Sequence, residues 1–315
     1  MPTRAVLHPL SVTGLADELE RMEGVELIHA ADDDEVAEAL EDGAPILLTY
    51  TWRPRFLTPS LRWIQGVGAG YEQYPLGVLE REGVVLTTAT GVHVVVAEAA
   101  FGLLLALTRR IADAVRDAQS HRWLVREGPE IAGSTIGIIG LGTIGEAFAR
   151  RAQGWDVELI GFKRDPGSYS GVVERVYGPD RLLDVCRMAD ILIITMPGSE
   201  DTKHLIGETE LAALGDGWLV NVGRGSVIDE HALIAALTDG DLRGAGLDVF
   251  ETEPLPDDSP LWDMPNVVMT PHSAGDTPRY GERLAEIFHQ NLRAFSGEDT
   301  HWVNRVVDGK RLDRS

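Results

Sequence analysis

The chain has few features that would tie it to a membrane or to an oxidising compartment. Its 315 residues include a single cysteine, Cys186, so no disulfide can form within the chain and a reducing compartment is expected. The apolar neighbours of Cys186 predict a core position rather than a nucleophile. Long hydrophobic runs are absent, since the most apolar stretch, 92–107, contains His93 and Glu98, and the first residues lack the layout of a signal peptide. These absences predict a cytoplasmic protein that does not enter a membrane.

Positive charge is scarce. The chain has 28 Lys and Arg against 50 Asp and Glu, a formal net charge of -22, and lysine occurs only at positions 163, 203 and 310. Such a surface repels polyanions, and no basic cluster interrupts it, so we expect neither nucleic acid nor an anionic membrane as partner. Surplus carboxylates are tolerated in concentrated salt, where the Debye length falls to about 3 Å at 1 M. We therefore expect a halophilic source, with an ordinary acidic protein as the alternative.

The length and the pattern of apolar runs predict two α/β domains. At roughly 150 residues per domain the chain is long enough for two. Short apolar runs alternate with amphipathic stretches over 5–86, and stronger runs alternate in the same way over 135–270. Continuous apolar runs indicate strands buried on both faces, hence parallel. We expect two doubly wound parallel-sheet domains, one Rossmann and one flavodoxin-like, with long helices near 97–120 and 278–295.

A glycine-rich turn lies between a predicted strand, 135–139, and a predicted helix that follows it. The turn reads Gly140-Leu141-Gly142-Thr143-Ile144-Gly145. Gly140 would permit a tight turn, Gly142 a close approach of a pyrophosphate, and Gly145 close helix packing, with free N–H groups at the helix N-terminus. The motif predicts a dinucleotide site that includes Thr143 and Ile144. A glycine-rich turn without a ligand is the alternative.

The residues after the next strand predict which dinucleotide is preferred. An NAD-specific site normally carries Asp or Glu about 20 residues after the glycine motif, to bind the ribose hydroxyls. Here the chain has Lys163 and Arg164, with Asp165 two places late. Cations attract a 2'-phosphate, and Arg can bind it in a bidentate way. We therefore expect NADP to be preferred and NAD to be accepted, unless both cations simply belong to a surface loop.

Three polar residues follow the last three predicted strands: Arg224, Glu253 and His272. The carboxyl ends of parallel strands line a ligand crevice. Histidine titrates near neutral pH, an adjacent carboxylate orients it and favours its protonated form, and a guanidinium binds a carboxylate and polarises a carbonyl. An acid with an anion clamp is what hydride reduction of a 2-ketoacid requires. Each residue could alternatively be a solvated loop side chain.

Together these motifs resemble the D-isomer-specific 2-hydroxyacid dehydrogenases over nearly the whole chain. The segment 96–98 at the start of the long helix and the loop 66–71 also fit that family. The resemblance implies an NAD(P)-dependent 2-ketoacid reductase in which His272 is the acid, Glu253 its partner and Arg224 a contact of the substrate carboxylate. It also implies that the backbone N–H groups of three small residues bind that carboxylate as an anion nest: Gly68, Ala69 and Gly70.

The resemblance carries further expectations about the site and the assembly. Pro197, Thr202 and Asp248 match family positions near the cofactor, and 121–123 matches the family's dimerisation region, which implies a homodimer. Residues 1–98, with 275–315 returning to them, would form the substrate domain, and 99–274 the dinucleotide-binding domain. No histidine pair shows a metal-ligand spacing, so no metal is expected.

Some alternatives stay open at the level of sequence. Residues 72–73 read Glu-Gln where many members of the family have Asp-Asn, and Glu253 in place of Gln argues against a formate or phosphite oxidoreductase. A dinucleotide-sensing binding protein with incidental turnover is the rival from another class. Four residues could either line the substrate pocket or belong to the core of the first domain: Tyr50, Trp52, Arg53 and Tyr74.

The charge analysis predicts a salt requirement for stability. Salt screens the repulsion among the excess carboxylates, so the free energy of unfolding should increase from low to molar KCl. Chemical denaturation at several KCl concentrations measures this. Equal stability with and without salt would contradict the halophilic hypothesis.

Overall fold

The computed structural model describes residues 2–9, 12 and 14–308, and it divides into two compact units. The first comprises Met1–His93 and Asp276–Ser315, and the second comprises Val94–Gly275. The first division falls after residue 93 rather than 98, because the apolar helix that begins at Val96 packs on the sheet of the second unit. Both units are α/β layers, as the apolar runs predict.

The elements are numbered in chain order. The strands are β1 (Thr3–Leu7), β2 (Val25–His29), β3 (Ile46–Thr49), β4 (Trp63–Gly66), β5 (Val85–Thr87), β6 (Thr135–Ile139), β7 (Glu158–Phe162), β8 (Arg175–Tyr177), β9 (Ile191–Ile194), β10 (Trp218–Asn221), β11 (Gly244–Leu247), β12 (Val267–Met269) and β13 (Arg305–Asp308). The α-helices are α1 (Leu15–Glu20), α2 (Asp33–Glu41), α3 (Leu76–Glu82), α4 (Val96–Thr108), α5 (Ile111–Gln119), α6 (Thr143–Ala152), α7 (Leu182–Met188), α8 (Glu208–Leu214), α9 (Glu230–Asp239) and α10 (Tyr280–Phe295).

The first unit is a flavodoxin-like sheet in the order β13-β5-β4-β3-β1-β2. Its strands are parallel except β13, which pairs antiparallel with β5. The fully buried Trp63 ring stacks on Phe288 of α10, with ring centroids 4.9 Å apart. The sequence pattern predicts only a polar tail where β13 lies, because a short strand at a sheet edge has little apolar periodicity.

The second unit is a parallel sheet in the order β12-β11-β10-β9-β6-β7-β8. Strand order reverses between β6 and β9, which is the doubly wound arrangement with its switch point at the carboxyl end of β6. Buried apolar strands explain the arrangement, since every residue of β9 and β10 is buried. The predicted fold class is confirmed. Strand β8, three residues long and polar at its start, was not predicted.

The prediction of one helix over 97–120 is wrong. The structure has α4 and α5, separated at Arg109 and Arg110, and their axes differ by 67°. Arg110 adopts a left-handed conformation with φ 56°, which no continuous helix contains. The side chain of Arg109 instead donates to the carbonyls of Gly128 and Pro129.

Within residues 2–9, 12 and 14–308, no single helix combines the length and the apolarity needed to cross a bilayer. The bent pair of α4 and α5 reaches that length and composition only when both helices are taken together.

Candidate active site

The glycine turn between β6 and α6 has the geometry of a phosphate-binding loop. Gly140 has φ 104°, and a Cβ there would lie 2.8 Å from the backbone nitrogen of Met196. A Cβ at Gly145 would lie 2.2 Å from the Gly140 carbonyl oxygen. Gly142 is the N-cap of α6, with no atom within 4 Å of a Cβ built on it. The N–H groups of Thr143 and Ile144, in the first turn of α6, have no acceptor among the described residues, as binding of a dinucleotide pyrophosphate requires.

The loop after β7 carries two cationic side chains, those of Lys163 and Arg164. Lys163 is half-buried, and its Nζ lies 3.3 Å from the carbonyl oxygen of Leu141 in the glycine turn. Arg164 is exposed, and within the described part of the chain neither cation forms an ion pair. The last residue of β7 is Phe162, so no carboxylate stands at the strand end where a ribose hydroxyl would bind.

A tyrosine that the sequence analysis missed holds this loop in place. The Tyr169 hydroxyl donates to the Glu146 carboxylate in the first turn of α6, and it accepts from the backbone N–H of Val173 at 3.2 Å. Burial, together with the adjacent Glu146 carboxylate, raises the pKa of Tyr169. Tyr169 and Glu146 are 23 residues apart, and no local pattern links them.

The segment after β9 is fixed by its own hydrogen bonds. Thr202 is buried, and its hydroxyl lies 2.8 Å from the Ser199 backbone nitrogen and 3.1 Å from the Pro197 carbonyl oxygen. Pro197 itself is exposed. The Thr202 hydroxyl therefore shapes the loop with its available hydrogen bonds, while the surface of Pro197 is open to a ligand.

Arg224 lies in a tightly confined loop after β10. The Asn221 side-chain amide donates to the Arg224 carbonyl and accepts from the Gly223 N–H, each at 3.0 Å. A Cβ at Gly225 would lie 1.9 Å from the carbonyl carbon of Phe250, so only glycine fits there. The half-buried Arg224 guanidinium donates to the Gly223 carbonyl at 2.8 Å. It forms no ion pair with any described residue, which leaves donors for an anionic substrate.

His272 and Glu253 are in direct contact. The His272 Nδ1 lies 2.7 Å from the Glu253 Oε2, and the other carboxylate oxygen accepts from the Phe250 N–H at 3.0 Å. A carboxylate can only accept, so Nδ1 carries a proton and Nε2 is the atom that exchanges one. Among the described residues Nε2 has no hydrogen-bond partner. Because Phe250 also abuts Gly225, the loops of Arg224 and Glu253 meet at one backbone segment.

Asp248 anchors the loop that carries His272. Its buried carboxylate accepts from the Thr270 hydroxyl at 2.5 Å and from the N–H groups of Ser273 and Ala274 at 3.0 and 3.1 Å. The Asp248 carbonyl accepts from the His272 N–H at 2.8 Å, and His272 has φ 51°. These contacts hold the His272 loop in place, and the cofactor role that the family resemblance implies for Asp248 stays a prediction.

The loop after β4 in the first unit has unused donors. Within the described residues, the backbone N–H groups of Gly68, Ala69 and Gly70 have no acceptor, while the Gly68 carbonyl accepts from the Ala89 N–H at 2.9 Å. Three consecutive free N–H groups are the donors of an anion nest.

Of the four residues considered for the substrate pocket, Tyr50 and Arg53 are exposed, Tyr50 at 54%. Tyr74 is buried, and its hydroxyl donates to the Thr49 carbonyl at 2.7 Å. Arg53 pairs with Asp33 at 2.7 Å. The Trp52 ring packs edge-on against the core residue Phe56.

Comparisons with known proteins identify the family. Residues 101–274 match the model of the D-isomer specific 2-hydroxyacid dehydrogenase NAD binding domain. The chain is 36% identical over 249 residues to a glyoxylate reductase of Korarchaeum cryptofilum, covering 75% of this chain and 74% of that protein. It is 39% identical over 245 residues to glyoxylate/hydroxypyruvate reductase B of Yersinia pestis, covering 75% of this chain and 74% of that protein.

Solved structures agree over the full length. The NADPH-dependent glyoxylate/hydroxypyruvate reductase of Sinorhizobium meliloti, solved with citrate, superposes with a TM-score of 0.85 at 29% identity and covers 99% of both chains. A second structure of that enzyme, with NADP and malonate, gives 0.82 at 29% identity and covers 100% of both chains. The sensing-protein alternative is not favoured, because these relatives are reductases. The chain belongs to the D-isomer-specific 2-hydroxyacid dehydrogenase family, as an oxidoreductase that transfers hydride between a nicotinamide cofactor and a 2-ketoacid/2-hydroxyacid pair.

Proposed function

We propose that this protein is an NADPH-preferring reductase of small 2-ketoacids, with glyoxylate and hydroxypyruvate as the first substrates to test. The observation that carries the proposal is the His272–Glu253 pair, with Nδ1 and Oε2 2.7 Å apart, in a chain similar to glyoxylate and hydroxypyruvate reductases. The test is a panel of glyoxylate, hydroxypyruvate, pyruvate and 2-ketoisocaproate, each with NADPH and NADH in molar KCl. Failure to reduce any of the four would refute the proposal.

His272 is the proposed acid. A bound reduced nicotinamide supplies the hydride that reaches the carbonyl carbon of the substrate. The proton on Nε2 of His272 moves to the carbonyl oxygen, which completes the hydroxyl group. Glu253 holds the imidazole through Nδ1, while Asp248 fixes the loop backbone.

Anion recognition is assigned to two groups of donors. The Arg224 guanidinium, which is free of protein carboxylates in the described residues, would bind the substrate carboxylate and polarise the keto oxygen. The N–H groups of Gly68, Ala69 and Gly70 would bind the carboxylate. The N–H groups of the nest are backbone atoms, so binding through them costs little side-chain entropy.

The dinucleotide is assigned to the glycine turn. The N–H groups at the start of α6 would hold the pyrophosphate, and Pro197 and Thr202 would shape the adjacent segment after β9. The contact residues proposed in the turn are Gly140, Gly142, Thr143, Ile144 and Gly145.

Replacement of the acid should reduce turnover strongly. We expect His272→Gln to lower kcat by about two to four orders of magnitude, the usual contribution of a positioned general acid. His231→Gln is the matched control, since His231 is an exposed residue in the first turn of α9. Glu253→Gln should also lower kcat, because an amide can donate to Nδ1 as well as accept from it and so no longer fixes the tautomer of the His272 ring. Wild-type rates for His272→Gln would contradict the acid assignment.

Cofactor preference should depend on Lys163 and Arg164. The proposal rests on these cations at the end of β7, where no carboxylate stands, and the related Sinorhizobium meliloti enzyme is described as NADPH-dependent. Replacing both by Ala should raise the KM for NADPH far more than the KM for NADH, because only NADPH carries the 2'-phosphate. Arg187→Ala with Arg293→Ala removes two exposed cations elsewhere and serves as control. Equal effects on both cofactors would refute the assignment.

We propose a homodimer in which a second copy covers the segment after α5, residues 121–126, which we call the arm. Trp123 and Val125 are 97% and 90% exposed, which is unusual for side chains of this kind. The arm is held by buried Asp117, which accepts from Arg122 and Arg126 at 2.8 Å, and the Arg126 hydrogen bond lowers the pKa of Asp117. The arm is therefore ordered while its apolar side chains face outward.

Removal of those side chains should weaken the dimer. Light scattering in molar KCl should give a dimer mass for the wild type and a lower mass for Trp123→Ser combined with Val125→Ser, because the buried apolar area is lost. Trp262→Ser, at a tryptophan that is 55% exposed, is the control. A monomeric wild type would overturn the assembly proposal.

We also propose that the protein works in a salt-rich, reducing cytoplasm. The net charge of -22 supports the salt-rich part, and the single thiol supports the reducing part. Cys186 is fully buried, and burial raises the pKa of its thiol to about 12, so it takes no part in the chemistry.

A further inference from the structure

The anion nest is held from behind by hydrogen bonds to its carbonyls. The carbonyl of Val67 accepts from the Tyr280 hydroxyl at 2.5 Å, across 213 residues of chain, and the carbonyl of Gly68 accepts from the Ala89 N–H at 2.9 Å. Both acceptors belong to peptide groups whose N–H sides have no acceptor within the described residues.

Because a peptide group is planar, a hydrogen bond to its carbonyl also fixes the direction of its N–H. In a trans peptide the C=O and N–H of one unit point in opposite directions. The Val67 carbonyl shares its peptide plane with the Gly68 N–H, and the Gly68 carbonyl shares its plane with the Ala69 N–H. A bond to each carbonyl therefore aims the N–H on the opposite side. The glycines in the loop make this restraint important, because glycine backbone is otherwise free to rotate.

The proton on Tyr280 can be assigned from its two partners. A hydroxyl has one proton, and the Val67 carbonyl can only accept it. The His93 Nε2, 3.2 Å from the same oxygen, must then donate to Tyr280. Burial raises the pKa of Tyr280, so the hydroxyl keeps its proton at neutral pH. Arg283, one turn further along α10, donates to the Val92 carbonyl at 3.2 Å and holds the His93 segment.

We propose that Tyr280, supported by His93, is a positioning residue for recognition of the substrate carboxylate. This inference rests on the proposed function and adds a residue that lies behind the nest rather than in it. Tyr280 acts on the Gly68 N–H through the shared peptide, so its hydroxyl sets affinity for carboxylate-bearing ligands and not the rate of the chemical step.

The test is Tyr280→Phe, which keeps the ring and removes only the hydroxyl. We expect the KM for glyoxylate and the dissociation constant of oxalate, measured by calorimetry, to rise about fivefold to tenfold, the scale of one lost hydrogen bond. The kcat and the KM for NADPH should stay within about twofold of wild type, since neither depends on the nest.

Tyr74→Phe is the matched control. Its hydroxyl is also buried and also donates to a backbone carbonyl, that of Thr49 in β3 at 2.7 Å. That carbonyl also accepts from the Val67 N–H at 3.1 Å, so the control removes a hydrogen bond next to the nest but none from the peptides that carry the nest N–H groups. His93→Phe is a second variant that leaves Tyr280 in place and removes its donor. It should raise the same two constants by a smaller factor.

The outcomes separate this inference from the proposed function. Suppose first that the wild type reduces ketoacids. If Tyr280→Phe then leaves the KM for glyoxylate and the dissociation constant of oxalate unchanged, or if Tyr74→Phe raises both as much as Tyr280→Phe does, the inference is wrong and the proposed function stands. If the wild type reduces no ketoacid, oxalate calorimetry still decides: weaker binding by Tyr280→Phe than by Tyr74→Phe supports the inference, and equal binding overturns it. Should Tyr280→Phe fail to fold, unchanged constants in His93→Phe overturn it.

Discussion

The chemistry proposed for the second unit depends on one buried carboxylate, that of Asp248. A carboxylate with no neighbouring cation is costly to bury unless hydrogen bonds satisfy it. Here the Thr270 hydroxyl and the N–H groups of Ser273 and Ala274 supply those bonds. The backbone that satisfies Asp248 is the same backbone that carries His272. Stability of the buried charge and placement of the imidazole are therefore one requirement.

Hydrogen bonds also orient backbone groups in the first unit. Small residues without useful side chains offer their backbone N–H groups, and the direction of those groups is set by hydrogen bonds on the other side of each peptide. Tyr280 and the Ala89 N–H occupy the carbonyls of Val67 and Gly68. In both units, groups that lie behind the atoms proposed to contact the substrate determine where those atoms point.

Because acidic residues outnumber basic ones, a basic side chain without an ion-pair partner indicates a site for an anion from outside the protein. Most arginines have carboxylates nearby, for example Arg243 with Asp216 and Arg126 with Asp117. Arg224 and Arg164 form no ion pair within the described residues although the chain has 50 acidic residues. A guanidinium kept apart from so many carboxylates is available to an anion from outside the protein. The proposed roles toward a substrate carboxylate and a 2'-phosphate follow from that availability.

The sequence alone determined the features that depend on neighbours along the chain. Buried strands are continuous apolar runs, and a phosphate-binding turn needs glycines between strand and helix, so the α/β class and the glycine turn could be predicted. The polar residues at strand ends could be located because parallel strands deliver their carboxyl ends to one edge of a sheet. Contacts across many residues could not be predicted, among them Tyr169 with Glu146, Asp248 with the His272 loop and Tyr280 with Val67. At the break between α4 and α5, Arg109 likewise contacts carbonyls about 20 residues away. Such contacts exist only after the chain has packed, because their energy comes from burial and hydrogen bonding between distant segments rather than from local periodicity.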